Sequence, residues 1–351
     1  MRFFDEQEDM RPTVHDIAAE AGVSLATVDR VLNARPGVRA KTREKVEKAV
    51  TKLGYVRDVA AANLAKGRIY PFTFILPQND NAFMRGLHDA VEQAVERGPI
   101  ERTQIDIVDV PAFDAEALAA AIDAARAKAP AGIALVAIES APVIAAVARL
   151  KQAGIPVVTL VSDLQDGERD HYAGVDNRAA GRTAATLLGR FLGERRGTVG
   201  VLAGSLSVRD HQNRFEGFSE VMSERFAHLD VLAPMEGRDD AALAQKLVED
   251  ALTSHPDMIG LYSLGAGNRG LLKALDPAHD SGREIVTVAH ELSEHARAAL
   301  EHGTFDAVLN QDAGHEVRSA IRVLKAKADG LPVIDSQERI RIDIFIKDNL
   351  P

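Results

Sequence analysis

Six polar clusters stand directly after apolar runs of this 351-residue chain, and their side chains share one chemistry. Gln78, Asn79, Asp80, Asn81 and Phe83 follow the run Phe72–Leu76. Ser162 and Asp163 follow Val157–Leu160, and Arg209, Asp210, His211 and Arg214 come after Val199–Ala203. Ser263 and Asn268 follow Ile259–Tyr262, His290 and Glu291 follow Ile285–Ala289, and Asn310 and Gln311 follow Ala307–Leu309. Amides, carboxylates and a guanidinium can bond vicinal hydroxyls, and the Phe83 ring offers a flat apolar face. Together they describe a sugar or polyol site. The candidate ligand-binding residues are Asn81, Phe83, Ser162, Asp163, Arg214, Asn268, Glu291 and Gln311. Any one of them alone reads as a loop polar residue or a helix cap; the argument is that all fall just beyond apolar runs.

Two further patterns imitate known sites and lack what those sites need. His290-Glu291-Leu292-Ser293-Glu294-His295 has its histidines at i and i+5, whereas a helical zinc motif needs i and i+4 to bring both onto one face, so no metal is expected. Gly265-Ala266-Gly267-Asn268-Arg269-Gly270 has glycines at its first, third and sixth places. It lacks a surrounding first βαβ unit with an acid about 20 residues on. It is read as a place where backbone approaches a ligand, and no cofactor is expected. No Ser-His-Asp order, phosphate-binding loop or kinase signature occurs, so nothing supports an enzyme. The chain has no Cys, which excludes disulfides and thiolate sites and fits a reducing compartment, taken to be a bacterial-type cytoplasm. No apolar run reaches the length of a membrane span. Met1–Met10 carries four acids and does not read as a secretory signal.

Charge separates the chain into two parts. The net charge is -10, yet residues 11–68 carry twelve Lys/Arg against six Asp/Glu, while residues 69–351 carry 29 against 42. A basic head on an acidic body suggests a polyanion-binding module joined to a different one. In the head, Val14, Ile17, Ala18 and Ala21 fall at helical spacing, and Thr13 with Asp16 makes a capping box. Gly22 suits a tight interhelical turn. Ser24 caps a second helix over Leu25–Asn33, with Val23, Val28 and Val31 facing the first. This is a helix-turn-helix pattern, and with the basic charge it favours DNA binding over an ordinary helical hairpin. A third amphipathic helix, Ala40–Leu53, presents Val46, Ala49, Val50 and Leu53 on one face and ends at Gly54.

The body must position the polar clusters. Its apolar runs, which also include Ile105–Val110 and Ile133–Ile138, alternate with Ala-rich helical stretches such as Ala115–Ala129 and Asn177–Leu192. Strand–helix alternation implies a parallel sheet covered on both faces, and the length suits two such subdomains. Open parallel sheets bind ligands beyond the carboxyl ends of their strands, where the six clusters stand.

From Thr13 to Gly67 the motifs TVHDIAAEAGVSLATVDRVLN, VRAKTREKVEKAVTKLGY and VAAANLAKG occur in an order and spacing that resemble the DNA-binding headpiece of the lactose-repressor (LacI/GalR) family of transcriptional regulators. The resemblance implies that Leu25, Ala26 and Arg30 read base edges in the major groove. Arg30 is the strongest reader chemically, because a guanidinium bonds both acceptors of a guanine. It places Thr13, Ser24, Thr27, Asn33 and Thr42 at phosphate contacts, with Arg39 and Tyr55 close by; such contacts set register without carrying sequence information. Asp58–Ala65 match the family's hinge helix, too short to be stable alone. It orders when two copies pair on the operator, Leu64 wedging into the minor groove with Ala61 beside it. The chain departs from the family at Arg57 and Asp58, where a Pro and a neutral residue are usual. It departs again at Asp29, where a hydroxyl residue is usual and where a carboxylate is expected to orient Arg30.

From Tyr70 onward the chain resembles the sugar-binding, periplasmic-binding-protein fold that forms the family's effector domain, most clearly in HYAGVDNRAAGRTAA, NRFEGF and Asn310-Gln311. The implied fold is an all-α helix-turn-helix headpiece plus an α/β effector domain of two parallel-sheet subdomains, periplasmic-binding-protein type I-like. The expected divisions are 11–57 for the DNA-binding domain, 58–69 for the hinge helix and linker, and 70–351 for the effector and dimerisation domain. Within the last, one subdomain takes about 70–163 plus 292–325 and the other about 164–291 plus 326–351. In ribose-type relatives, positions matching Asn81, Phe83, Arg214, Glu291 and Gln311 touch the sugar. An Asp-Arg pair expected after the fourth strand appears here as Val161-Ser162 and then Asp163. The usual Asn-Asp after Ile259–Tyr262 becomes Leu264-Gly265, with Asn268 further on. Both changes point away from a strict ribose ligand.

The function so implied is a sequence-specific transcriptional regulator, a repressor of a carbohydrate-uptake or catabolic operon, controlled by a small sugar or polyol. Its expected partners are pseudo-palindromic double-stranded operator DNA, that effector and a second copy in a homodimer, with no membrane. A solute-binding receptor of a sugar transporter is the alternative, and the headpiece opposes it. The terminal Ile340–Pro351 shows no heptad repeat, so no coiled-coil tail is expected.

Overall fold

The helical periodicities of the head become three helices, α1 (Val14–Ala21), α2 (Leu25–Leu32) and α3 (Ala40–Leu53). The computed structural model describes residues 12–33, 35–55, 63, 67–78, 82–164, 169–265 and 267–351. The chain divides into two units, residues 1–68 and 69–351. In the first, the capping box closes as expected: the Thr13 N–H donates to Asp16 Oδ2 at 2.7 Å and the Asp16 N–H to Thr13 Oγ1 at 3.4 Å. Gly22 turns the chain between α1 and α2 at φ 63°, a conformation that strains any residue with a Cβ. Ile17, Ala21, Val28, Val31, Val46 and Ala49 make the core of the three helices. At about 1.5–3 kcal/mol for each fully buried Val or Ile side chain, this cluster outweighs the exposed Lys52–Glu20 ion pair, 2.7 Å long, that ties α3 to α1.

The second unit has two lobes, each built on a parallel sheet. The first sheet runs β2-β1-β3-β4-β5, from β1 (Tyr70–Gln78), β2 (Thr103–Pro111), β3 (Gly132–Leu135), β4 (Val157–Leu160) and β5 (His171–Ala173). The second runs β12-β11-β10-β9-β6-β7, with β8 also beside β6. Its strands are β6 (Gly197–Ala203), β7 (Leu229–Val231), β8 (Met235–Glu236), β9 (Met258–Ser263), β10 (Val286–His290), β11 (Ala307–Asn310) and β12 (Asp343–Phe345). Among the described residues only β12 is antiparallel, to β11. Each sheet has an apolar cluster on both faces, which is why its strands are nearly continuous apolar runs. Helices α4 (Ala82–Glu101) and α12 (Ala313–Ala328) pack on one face of the first sheet; α5 (Ala115–Ala127) and α6 (Ala141–Gln152) pack on the other. On the second sheet, α7 (Asn177–Leu192) and α8 (Arg209–Arg225) cover one face. The other is covered by α9 (Ala241–Ser254), α10 (Asn268–Asp280) and α11 (Glu294–His302).

The lobes divide differently from the sequence-based expectation. Residues 292–325 were assigned to the first lobe, yet α11 and β11 belong to the second: β11 pairs with β10, and Val308 joins the apolar cluster beneath α11. Strand β5 stays with the first sheet by pairing with β4. The chain therefore crosses between lobes after Ala173, after Asn310 and again beyond α12. A short helix, α13 (Asp335–Glu338), also stands with the first lobe, because Arg322 of α12 donates to both Glu338 oxygens at 2.9 and 2.7 Å. Among the described residues no helix is long and apolar enough to cross a membrane.

Candidate functional site

A cleft opens between the lobes, lined mostly by residues at or beyond the carboxyl ends of β1, β2, β3, β4, β6, β8, β9, β10 and β11. Phe83, Ser162, Arg214, Glu291 and Gln311, all expected from the sequence, come together there. Asn81 lies outside the described residues. Asp163 and Asn268 do not line the cleft. The Asp163 carboxylate instead takes both Nε and Nη2 of Arg169 at 2.7 Å, and the Thr159 hydroxyl at 2.6 Å, so a nearby cation has engaged it. Asn268 clamps the ends of two strands, accepting from Ser263 Oγ and donating to the His290 carbonyl, each at 2.8 Å. It lines an adjoining pocket that shares Phe83, Asp239, Gly265 and Glu291 with the cleft.

Other cleft residues are not among the sequence-derived candidates: Asp210 and His211 stand there in a polar cluster only, and Met84 and Phe113 are not singled out. For two of them a signal existed. Positions 210, 211 and 214 lie four, three and zero residues from Arg214 on α8, and so share one helix face. Helix α8 sits close on α7 because Gly181 and Gly217 face it and its neighbour; a Cβ on Gly181 would overlap the Arg214 carbonyl, and one on Gly217 the Arg178 carbonyl. That close approach brings Arg214 to Asn177.

Arg214 is 1% exposed and is held on three sides. Its Nε donates to Asn177 Oδ1 at 2.7 Å, its Nη1 donates to the Leu264 carbonyl at 2.6 Å, and Nη1 stands 3.6 Å from Glu291 Oε1. Gln311 Nε2 donates to the same Glu291 oxygen at 2.9 Å. The relay continues into the first lobe: Asn177 Nδ2 donates to the Tyr172 hydroxyl at 2.9 Å, which donates to the Val161 carbonyl at 2.8 Å. Among the described residues thirteen buried side-chain atoms have no hydrogen-bond partner, and five of them belong to cleft residues, namely Arg214 Nη2, Glu291 Oε2, Gln311 Oε1, Asp210 Oδ1 and Ser162 Oγ. Orphaned buried polar atoms cost about 1–3 kcal/mol each and are rare in native proteins. The five on cleft-lining residues are the groups a ligand could engage there.

Burial pushes the Glu291 carboxyl up to about 7, against the pull of Arg214. Burial likewise raises Glu316, whose two oxygens are both without partners, well above the carboxylate range. It lowers His290, which stands 2.8 Å from the Tyr262 hydroxyl, well below the ordinary imidazole range, so that ring is neutral. Backbone strain gathers here too. Phe113, Val161, Asp239 and Glu291 have φ of 60°, 62°, 58° and 69°, four of the seven non-glycine residues with positive φ among the described residues. For a β-branched residue such as Val161 this conformation is a true outlier, of the kind that clusters at ligand clamps. His290 and His295 stand apart, one buried at the end of β10 and the other exposed on α11. Possible metal-ligand atoms do come within 4.8 Å of one another in one group among the described residues, His279, Asp280 and His302 at the surface.

In the head, Leu25, Ala26 and Arg30 are exposed on α2, with Ala26 and Arg30 four residues apart on one face. Ser24 Oγ and Thr27 Oγ1 lie 3.0 Å apart, and Thr13 Oγ1 donates to Asp16 Oδ2 at 2.7 Å, so these hydroxyls also cap helices. Arg39 is exposed at the start of α3, while Thr42 and Tyr55 are half-buried. Asp29 was expected to orient Arg30. Instead it accepts from Asn33 Nδ2 at 2.6 Å, four residues on and so on its own side of the helix, and from Arg35 Nη1 at 3.1 Å. Ala61 and Leu64 lie outside the described residues.

Comparison with known proteins agrees with both halves. Residues 13–58 match the family described as bacterial regulatory proteins, lacI family, and residues 72–332 match the periplasmic binding protein domain. The chain is 31% identical over 264 residues to the HTH-type transcriptional regulator MalR of Streptomyces coelicolor, covering 74% of this chain and 67% of that one. It is 26% identical over 282 residues to catabolite control protein A of Staphylococcus epidermidis, covering 79% and 80%. Among solved structures, a solute binding protein of Burkholderia graminis in complex with D-arabinose superimposes with a TM-score of 0.73 at 21% identity, over 81% of this chain and 97% of that one. GanP, a glucose-galactose binding protein from Geobacillus stearothermophilus, gives 0.71 at 20% identity, over 81% and 99%. The helix-turn-helix head, the two-lobed body and these matches agree: the chain belongs to the lacI family of bacterial regulatory proteins and is a DNA-binding transcriptional regulator.

Proposed function

We propose that this regulator is a sugar- or polyol-responsive repressor that works as a homodimer on a pseudo-palindromic operator in the cytoplasm. The observation that carries the reading is the set of five partnerless buried polar atoms on Arg214, Glu291, Gln311, Asp210 and Ser162, all residues of one interlobe cleft. Phe83 supplies the apolar surface on which a sugar ring stacks. In the head, Arg30 reads a guanine, Leu25 and Ala26 offer apolar contact to bases, and Thr13, Ser24, Thr27, Asn33, Arg39, Thr42 and Tyr55 hold phosphates. Ala61 and Leu64 open the minor groove. Two copies place two recognition helices one helical turn apart on DNA. Sugar closing the cleft changes the geometry of the two hinge segments, so effector and operator affinities are linked reciprocally, typically by 1–3 kcal/mol.

The test is fluorescence anisotropy of genomic fragments, with and without a panel of sugars. Operator binding by the full chain and its loss on removing residues 1–68, with sugar-induced thermal stabilisation retained, would support the proposal. DNA binding that survives the removal would sink it.

A further inference from the structure

We infer that the cleft selects a neutral deoxy sugar, one with hydroxyls along one edge and a methyl or methylene group on the opposite edge. This rests on the sugar reading above and goes further. The two walls differ in kind. Among the described residues, the first lobe contributes a single polar side chain, Ser162; the rest of its wall is apolar, with Met84, Val136 and Ile138 inside and Phe113 at the lip, 38% exposed. The second lobe and the crossover after β11 supply the hydrogen-bonding groups.

Of the partnerless atoms on that polar wall, Asp210 Oδ1 and Gln311 Oε1 are acceptors, Glu291 Oε2 accepts when its carboxyl is ionised, and Arg214 Nη2 is a donor. A ligand meeting these acceptors must donate. Hydroxyls donate; a carboxylate or phosphate does not, and it would face two acids while the Arg214 charge is already engaged by Glu291 at 3.6 Å. A hydroxyl turned toward Met84, Val136, Ile138 or Phe113 on the opposite wall, away from Ser162, would lose its bonds to water with nothing in exchange. A methyl there buries apolar surface instead.

The experiment is calorimetric titration of the full chain with matched pairs that differ by one hydroxyl: L-fucose and L-galactose, L-rhamnose and L-mannose, 6-deoxy-D-glucose and D-glucose. D-galacturonate serves as the anionic probe. The expected result is a deoxy member binding about 10- to 100-fold tighter than its twin, the discrimination an apolar pocket gives against an added hydroxyl, with no binding of galacturonate. Equal or tighter binding of the hydroxylated twin, or of galacturonate, overturns this inference and leaves the sugar reading standing. No binding by any member overturns the sugar reading itself. Phe113→Asn provides the control, because Asn tolerates the φ of 60° at this position and adds a polar group to the apolar wall. It should shrink the preference for the deoxy member; an unchanged ratio counts against the apolar wall as its cause.

Discussion

Arg214 Nη1 and Glu291 Oε1 lie 3.6 Å apart, and each side chain keeps its other terminal atom, Nη2 and Oε2, without a partner. The ion pair therefore engages one half of each group and leaves the other half without a partner in the cleft. Glu291→Gln keeps the shape and removes the charge. It should weaken sugar binding by about 10- to 100-fold, the loss expected for a hydrogen bond to a charged group, and leave ligand-free operator affinity unchanged. Arg214→Ala should also abolish the sugar response while keeping operator binding. It should destabilise the fold by about 3–5 kcal/mol, because it leaves a buried acid uncompensated and frees Asn177 and the Leu264 carbonyl. Calorimetry and urea unfolding separate the two effects. Wild-type sugar affinity in Glu291→Gln would make the pair purely structural.

The same carboxyl sets a pH dependence whose sign can be worked out. Glu291 is raised from 4.5 to about 7 in the folded chain, so between those values the folded state holds a proton that the unfolded state has lost. Stability from this group falls as pH rises through that window and levels off above it, by at most about 1.4 kcal/mol per pH unit. Glu316 acts with the same sign over a wider range, whereas the lowered His290 acts with the opposite sign up to its unfolded value of 6.5. The clean quantity is a difference. The stability of Glu291→Gln relative to wild type should rise from pH 4.5 to about 7 and then stay level, as read by urea unfolding at each pH. A difference that does not vary with pH would mean that Glu291 ionises in its ordinary range.

A second ion pair joins the lobes. Arg209, the first residue of α8, donates to Glu139, which follows β3, beside the cleft. Both side chains are partly exposed, so the pair contributes at most about 1 kcal/mol to stability. Its effect should be on closure. Arg209→Ala should reduce sugar affinity by about two- to fivefold with little change in unfolding, and adding Glu139→Ala should cost nothing more. Additive losses in the double variant would show that the residues act independently.

How much of this was legible in the sequence depended on how local the cause was. Ile17, Ala21, Val28 and Val31 betray the helical head because their burial follows a 3.6-residue period. Arg214, Glu291 and Gln311 were found because parallel sheets bind ligands beyond their strand ends. Asp163 was misplaced because its partner, Arg169, is chosen by the fold of the chain and not by spacing. The first crossing between the lobes was misplaced because β5 is three residues long and leaves no apolar run to count. The apolar wall was missed because Met84 and Phe113 read as core or loop until a cleft places them opposite charges.

The exposed bases of the head should separate by the kind of contact they make. Arg30→Ala should relax preference at one base step, at a cost of about 1–3 kcal/mol on the cognate site alone. Arg39→Ala should weaken binding to every sequence and lower the slope of log affinity against log salt by about one. Anisotropy titrations at several salt concentrations, on cognate and scrambled DNA, distinguish them. The reverse assignment of the two effects would overturn the placement of α2 in the major groove.

The most direct measurement is operator affinity of the full chain, by anisotropy at fixed salt, across a titration with a sugar that calorimetry shows to bind. A change of about 5- to 150-fold is expected, corresponding to a coupling of 1–3 kcal/mol, and it should vanish in Glu291→Gln when the sugar is held at a concentration that saturates only the wild type. Saturation of the cleft with operator affinity unchanged would contradict the account, because the body would then bind sugar without governing the head.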